Sequence, residues 1–72
     1  MQAHMMPVVS SKLKAVGYEE SPMILRVEFY KDGVFEYYGV PELVYRDLLD
    51  APSLGSYFKR YIKNRYRYVK IG

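Results

Sequence analysis

The sequence predicts an α+β domain in which a three-stranded antiparallel meander packs against two short helices, in the order β-β-β-α-α. Apolar and polar residues alternate from Met23 to Tyr30, which is typical of a strand with one buried face. After Pro41 the apolar residues recur at helical spacing instead, and Pro52 divides that region into two helices. A chain of 72 residues with this pattern forms one domain at most.

The first two predicted strands are residues 13–18 and 23–30, separated by a turn at residues 20–22. Alternate residues of a strand share a face, so the second strand has an apolar side and a mixed side. The apolar side carries Leu25, Val27 and Phe29, and the other side carries Ile24, Arg26, Glu28 and Tyr30.

A tight hairpin is predicted at residues 31–33, because the Asp-Gly pair tolerates the positive φ that such turns require. Residues 34–38 then return as the third strand. In that strand Phe35 and Tyr37 share the face of the apolar residues that precede the hairpin.

The first predicted helix begins at Pro41, where the missing N–H leaves no helical bond unmade, and runs to about Asp50. Ser53 is suited to cap the second helix, which we expect to end near Asn64, a residue that tolerates a left-handed cap. The apolar stripe of the second helix is Leu54, Phe58, Tyr61 and Ile62, with Tyr57 at its edge. Residues 66–71 alternate again, as in either a fourth strand or an extended tail lying on the sheet.

Charge is divided unequally along the chain. Residues 1–50 carry five basic and eight acidic side chains, a balance of −3, whereas residues 51–72 carry six basic side chains and no acid, a balance of +6. Such asymmetry indicates an acidic or polyanionic partner.

Several classes of function are disfavoured by what the sequence contains. There is no cysteine, and His4 is the one histidine. The sequence therefore lacks the ligands that a transition-metal site normally needs, and it offers only one histidine as a base for a nucleophile. We expect no cofactor, no metal and no enzymatic activity. No apolar run approaches the roughly 18 residues of a membrane span, so we expect a cytoplasmic protein without membrane contact. Residues 1–5 are interpreted as a cloning remnant, and residues 6–72 as a single domain.

A set of landmarks follows one another from residue 8 to residue 66. They are Ser10-Ser11, Gly17-Tyr18, the hairpin from Phe29 to Gly33, Tyr37-Tyr38, Val40-Pro41, Tyr45, Ala51, Ser53, Gly55, Tyr57-Phe58, Ile62 and Tyr66. In this order they resemble the KTSC domain family, which is named for its occurrence at the C-terminus of some lysyl-tRNA synthetases and also found as stand-alone bacterial proteins. The resemblance implies three strands with helices and proximity to RNA. It implies no established activity and no catalytic residues.

The leading functional hypothesis is an accessory module that binds RNA or DNA without sequence specificity, since basic groups track phosphates and aromatic rings stack on bases. Its candidate residues are Lys59, Arg60, Lys63, Arg65, Tyr66, Arg67, Tyr68 and Lys70. The competing interpretation makes Lys59, Arg60 and Lys63 a solvated helix face and places Tyr57 and Tyr61 in the core.

Three other hypotheses are open. The N-terminus of the second helix, with Ser53, Gly55 and Ser56, is a candidate anion site, although helix ends are readily satisfied by their own cap. The outer sheet face carries Tyr30 and Tyr38, but its glutamates would repel phosphate. The alternative function is a protein-interaction or self-associating module, in which the acidic and basic halves of neighbouring molecules are complementary and form a homodimer.

Overall fold

The structure is a computed structural model and describes residues 5–72. Its elements in chain order are β1 (Met6–Pro7), β2 (Leu13–Glu19), β3 (Ile24–Phe29), β4 (Gly33–Tyr38), α1 (Glu42–Asp50), α2 (Leu54–Tyr61) and β5 (Arg67–Lys70). The strands form one antiparallel sheet in the order β1-β2-β3-β4-β5. The α+β class is therefore confirmed. The prediction of three strands is wrong, because the sheet has five.

The two additional strands lie at the two edges of the sheet. β1 has only two residues, and Met6 and Pro7 pair with Val16 and Ala15. A proline is tolerated there because an edge strand does not need every N–H, and two residues are too few to produce a period in the sequence. At the other edge, β5 pairs along β4, so the alternating C-terminal segment is a strand.

The predicted hairpin is present between β3 and β4. Gly33 has φ +93, the left-handed region that glycine adopts without strain. The register places Val27 opposite Phe35 and Leu25 opposite Tyr37, so these apolar residues share one face. In β2 the register shifts between Leu13 and Ala15, as a β-bulge does.

Both helices pack on this apolar face. The buried core combines strand residues with helix residues: Leu13, Val16, Leu25, Val27, Tyr37, Val40, Leu48, Phe58 and Ile62. Helix α1 begins at Glu42, with Pro41 in the capping position, and Glu42 accepts a bond from Arg46 at 3.2 Å. The predicted cap of α2 is present, since the Ser53 Oγ accepts a bond from the Ser56 N–H at 3.3 Å.

Helix α2 ends at Tyr61, before the predicted end near Asn64. The Ile62 N–H donates to the Phe58 carbonyl at 3.0 Å, as in an α-helix, and the Lys63 N–H donates to the same carbonyl at 2.9 Å. The second bond spans five residues, so the last turn widens there and the helix ends. This turn buries Ile62 completely. Burial of one large aliphatic side chain is worth about 1.5–3 kcal/mol, which favours this turn over further helix.

Two finer predictions about α2 are also wrong. Asn64 is not in the left-handed region, since Met23 is the only non-glycine residue with positive φ among residues 5–72. Tyr61 is 46% exposed, and Tyr57 is the partly buried tyrosine of the pair. The two positions differ by about one helical turn, so helical spacing alone does not predict which of the two tyrosines is buried.

Residues 1–4 of the expected cloning remnant lie outside the described residues. Within the described part of the chain, neither helix is long and apolar enough to cross a membrane.

Candidate functional site

A groove lies between α2 and the apolar sheet face, at the end of the sheet where β2 begins. Its volume is about 630 Å³, within the ~300–1,000 Å³ typical of ligand pockets. Its described lining comes from the loop before β2 and the first residue of β2, from the hairpin with residues of β3 and β4 on either side of it, from helix α2 with the turn that follows it, and from strand β5. The groove therefore draws on both the acidic and the basic halves of the chain.

The floor of the groove is a closed circuit of five aromatic rings. Centroid distances are 5.4 Å for Tyr68–Tyr37, 5.3 Å for Tyr37–Phe58, 5.1 Å for Phe58–Phe29, 5.6 Å for Phe29–Phe35 and 5.8 Å for Phe35–Tyr68. Three of these contacts are edge-to-face, an arrangement that aligns the positive edge of one ring with the negative face of the next. The floor is consequently a continuous surface of packed aromatic rings.

The rings of the floor differ in exposure. Tyr37 and Phe58 are 4% and 6% exposed, whereas Tyr68 is 55% exposed. Burial, with a smaller contribution from Tyr68, raises the pKa of Tyr37 to about 12. Tyr68 is thus the ring of the floor that a ligand reaches most easily.

Around this floor, residues 5–72 contribute four lysines and one acid to the groove: Lys12, Lys31, Lys59, Lys63 and Asp32. All five are exposed. Four ammonium groups against one carboxylate make the rim electropositive, which favours an anionic ligand.

The backbone of Lys12 is fixed by its neighbours. Ser10 Oγ accepts bonds from the N–H groups of Lys12 and Leu13, both at 3.2 Å. The Lys12 carbonyl accepts from the Tyr30 N–H at 3.2 Å, which joins the N-terminal loop to the hairpin. On the helix side, Gly55 has no Cβ, and a Cβ there would be 3.6 Å from Lys12 Cδ. The lysine stem therefore lies against α2 while its ammonium reaches solvent.

Of the residues predicted from the basic C-terminal third, the groove brings together Lys59, Lys63 and Tyr68. The guanidinium of Arg60 is 5.9 Å from the ring centre of Tyr61, in a separate shallow cleft.

The remaining predicted residues lie elsewhere. Tyr66 is partly buried and packs against the core, and Arg65 is exposed in the turn before β5. Arg67 pairs with Tyr38 and so lies on the outer sheet face, opposite to the helices. Lys70 pairs with Phe35 on the inner face but does not line the groove.

Sequence reasoning missed Lys12, Lys31 and Asp32, because they belong to the half of the chain with negative balance. The signal was the meander itself. Leu13 pairs with Phe29, so the residues before β2 and the hairpin after β3 meet at one end of the sheet.

At the candidate anion site, the start of α2 is capped by the side chain of Ser53. The Ser53 hydroxyl donates to Ser56 Oγ at 3.2 Å and accepts from the Ser56 N–H. Gly55, the third candidate residue, faces the Lys12 stem.

The outer sheet face is organised around an ion pair. Arg26 donates from Nε to Glu36 Oε2 at 3.0 Å, and Tyr38 donates to Glu36 Oε1 at 3.0 Å. The Arg26 and Glu36 side chains are only 16% and 15% exposed, and the hydrogen bond from Arg26 is the main reason that the pKa of Glu36 is lowered. Tyr30, which we placed on this face, lies beyond β3 and lines the groove instead.

Comparison with known proteins gives a consistent result. A family model described as the KTSC domain matches residues 9–66. The chain is 41% identical over 63 residues to a protein of Stutzerimonas stutzeri, covering 86% of this chain and 89% of that protein. It is 38% identical over 61 residues to a lysine–tRNA ligase of Nostoc sp., covering 85% of this chain but only 11% of the ligase. The crystal structure of a KTSC domain protein from Yersinia pestis superposes with a TM-score of 0.96 at 32% identity, covering 99% of this chain and 100% of the other.

Proposed function

Because the chain belongs to the KTSC domain family and is similar to one segment of lysine–tRNA ligases, we propose that its groove binds single-stranded RNA. The name of these ligases states that they act on a tRNA. The chain spans only 11% of their length, so the comparison supports only RNA as the class of ligand. The observation that carries the proposal is the groove itself, an aromatic floor inside a lysine rim.

The floor suits an unpaired base. Single-strand binding proteins stack bases on exposed aromatic rings, and each such contact is worth about 1–3 kcal/mol. Tyr68 is more than half exposed, and its ring rests on Tyr37 and Phe35. A base that stacks on Tyr68 therefore meets a ring that is already held in place, so little ordering is required on binding.

The rim suits the phosphates on either side of that base. Lys59 lies on α2 and Lys63 in the turn that follows it, and Lys12 and Lys31 come from the loop and the hairpin. Ammonium groups on long stems follow a backbone without a fixed geometry, so these contacts predict salt-dependent binding with little dependence on sequence.

The size of the groove limits the contact. About 630 Å³ accommodates a ligand of small-molecule size, so we expect roughly one nucleotide in the groove and its phosphates on the rim. Affinity should then be in the range of non-specific binding, a Kd of about 10⁻⁴–10⁻⁶ M at physiological salt.

Two matched double variants test the location. Lys59→Glu with Lys63→Glu alters the rim, while Arg65→Glu with Arg67→Glu makes the same change of net charge outside the groove. Titration of a short single-stranded RNA, followed by NMR at low salt, should show weaker binding for the first variant only. The slope of log affinity against log salt should also fall by about 1.4, since each single-strand phosphate contact contributes about 0.7.

Absence of binding by the unaltered protein at low salt would refute the proposal, and so would equal weakening by both double variants. Light scattering of the free protein over the same salt range distinguishes self-association. A dimer that dissociates as salt rises would support the alternative of charge-driven association between copies.

A further inference from the structure

Asp32 is the one acid among the described residues that line the groove. It lies at the tip of the β3–β4 hairpin, immediately before Gly33, and its side chain is exposed. Within residues 5–72 it has no ion-pair or hydrogen-bond partner, whereas Glu28 pairs with Lys14 and Glu36 with Arg26. A free carboxylate in a groove that receives phosphates opposes binding unless it contacts another part of the ligand.

A carboxylate only accepts hydrogen bonds, so it selects a base edge with two adjacent donors. Guanine presents N1–H beside its N2 amine. Adenine and cytosine present one amine beside a ring nitrogen that accepts, and uracil presents one N–H between two carbonyls. The second carboxylate oxygen can therefore accept a hydrogen bond from guanine. With each of the other bases, that oxygen would face another hydrogen-bond acceptor.

Resting on the function proposed above, we propose that Asp32 gives the groove a preference for guanine in single-stranded RNA. The base stacks on Tyr68, its N1–H and N2 amine donate to the Asp32 carboxylate, and the surrounding lysines hold the flanking phosphates. Such charge-assisted pairs are short and roughly twice as strong as neutral hydrogen bonds.

The competing explanation is that Asp32 serves only the turn, since Asp-Gly is a favoured hairpin pair. Asp32→Asn separates the two roles, because Asn-Gly forms the same turn equally well. The amide replaces one acceptor with a donor, which is the pattern that pairs with adenine. A residue with only a structural role would leave base preference unchanged.

The experiment measures the affinity of five-nucleotide RNAs, UUNUU, in which N is guanosine, adenosine, cytidine, uridine or inosine. We expect guanosine to bind at least about fivefold more tightly than the others, since a two-bond base contact discriminates by roughly 5- to 150-fold. Inosine lacks the N2 amine and should lose most of that advantage. Asp32→Asn should abolish the preference for guanosine over adenosine, with an unchanged melting temperature.

Each contrary outcome has a distinct meaning. Equal affinity for all five RNAs, with binding still weakened by the Lys59 and Lys63 reversals, would overturn the role of Asp32 and leave RNA binding intact. A uniform rise in affinity for every RNA in Asp32→Asn would show a carboxylate that merely repels phosphate, which also overturns the preference. No binding of any RNA would refute the proposed function itself.

Discussion

Tyr37 and Tyr68 lie directly opposite each other on β4 and β5, with ring centroids 5.4 Å apart and planes inclined by 30°. Tyr37 is 4% exposed and contacts Phe58 of helix α2, whereas Tyr68 is 55% exposed. A single cross-strand pair thus connects the buried core to the surface of the groove. The edge strand β5 is what places the exposed ring there.

Removal of the Tyr68 ring should weaken RNA binding. We expect Tyr68→Ala to lower affinity for a short single-stranded RNA by roughly 5- to 150-fold, which corresponds to about 1–3 kcal/mol for one stacked base. The measurement is fluorescence anisotropy at low salt. Tyr61→Ala is the matched control, because Tyr61 is 46% exposed on α2 and does not line the groove. Equal loss in both variants would contradict the stacking role of Tyr68.

The hairpin was predictable from sequence because two independent signals agreed. The end of the alternation that defines β3 and the Asp-Gly pair at the start of β4 both indicate a turn at the same place. β1 carried no such signal, because its two residues, Met6 and Pro7, are too few to show an alternation. The end of α2 was missed for a related reason, because burial of Ile62 in the core decides it and helical spacing does not.

The groove was only half predictable. Lys59, Lys63 and Tyr68 were candidates because basic and aromatic residues are concentrated in the C-terminal third. Lys12 and Lys31 join them through strand pairing, which brings distant parts of the chain together. A balance of charge counted along the chain cannot detect a site that is assembled in this way.

Gly33 is predicted to control the docking of the C-terminus. Its φ is +93, and a Cβ there would collide with the backbone of Gly72, whose carbonyl accepts a bond from the Val34 N–H at 3.1 Å. Gly33→Ala should therefore strain the turn and displace the residues after β5. Gly39→Ala is the control, because Gly39 has φ +74 but no atom within 4 Å of the added methyl.

Urea unfolding should show a loss of about 1–2 kcal/mol for Gly39→Ala, the strain of a left-handed residue that is not glycine. Gly33→Ala should lose more, and its amides at Ile71 and Gly72, which donate to the Val34 carbonyl, should exchange faster with solvent. Unchanged exchange at these amides in Gly33→Ala would contradict the predicted collision.

Alkaline pH should destabilise the protein through Tyr37. Burial raises the pKa of this phenol from 10.0 to about 12, so the folded state keeps its proton after the unfolded chain has lost its own. Between about pH 10 and pH 12 unfolding releases a proton, and the free energy of unfolding falls as pH rises. The stabilising effect of the raised pKa is complete below pH 10 and is lost by pH 12.

Urea unfolding at a series of pH values should show that the free energy of unfolding declines less steeply for Tyr37→Phe. Between pH 7 and pH 9 it should differ from that of the unaltered protein by a constant offset. An equally steep decline in Tyr37→Phe would assign the alkaline loss to other groups, such as Tyr45, whose pKa is also raised by burial.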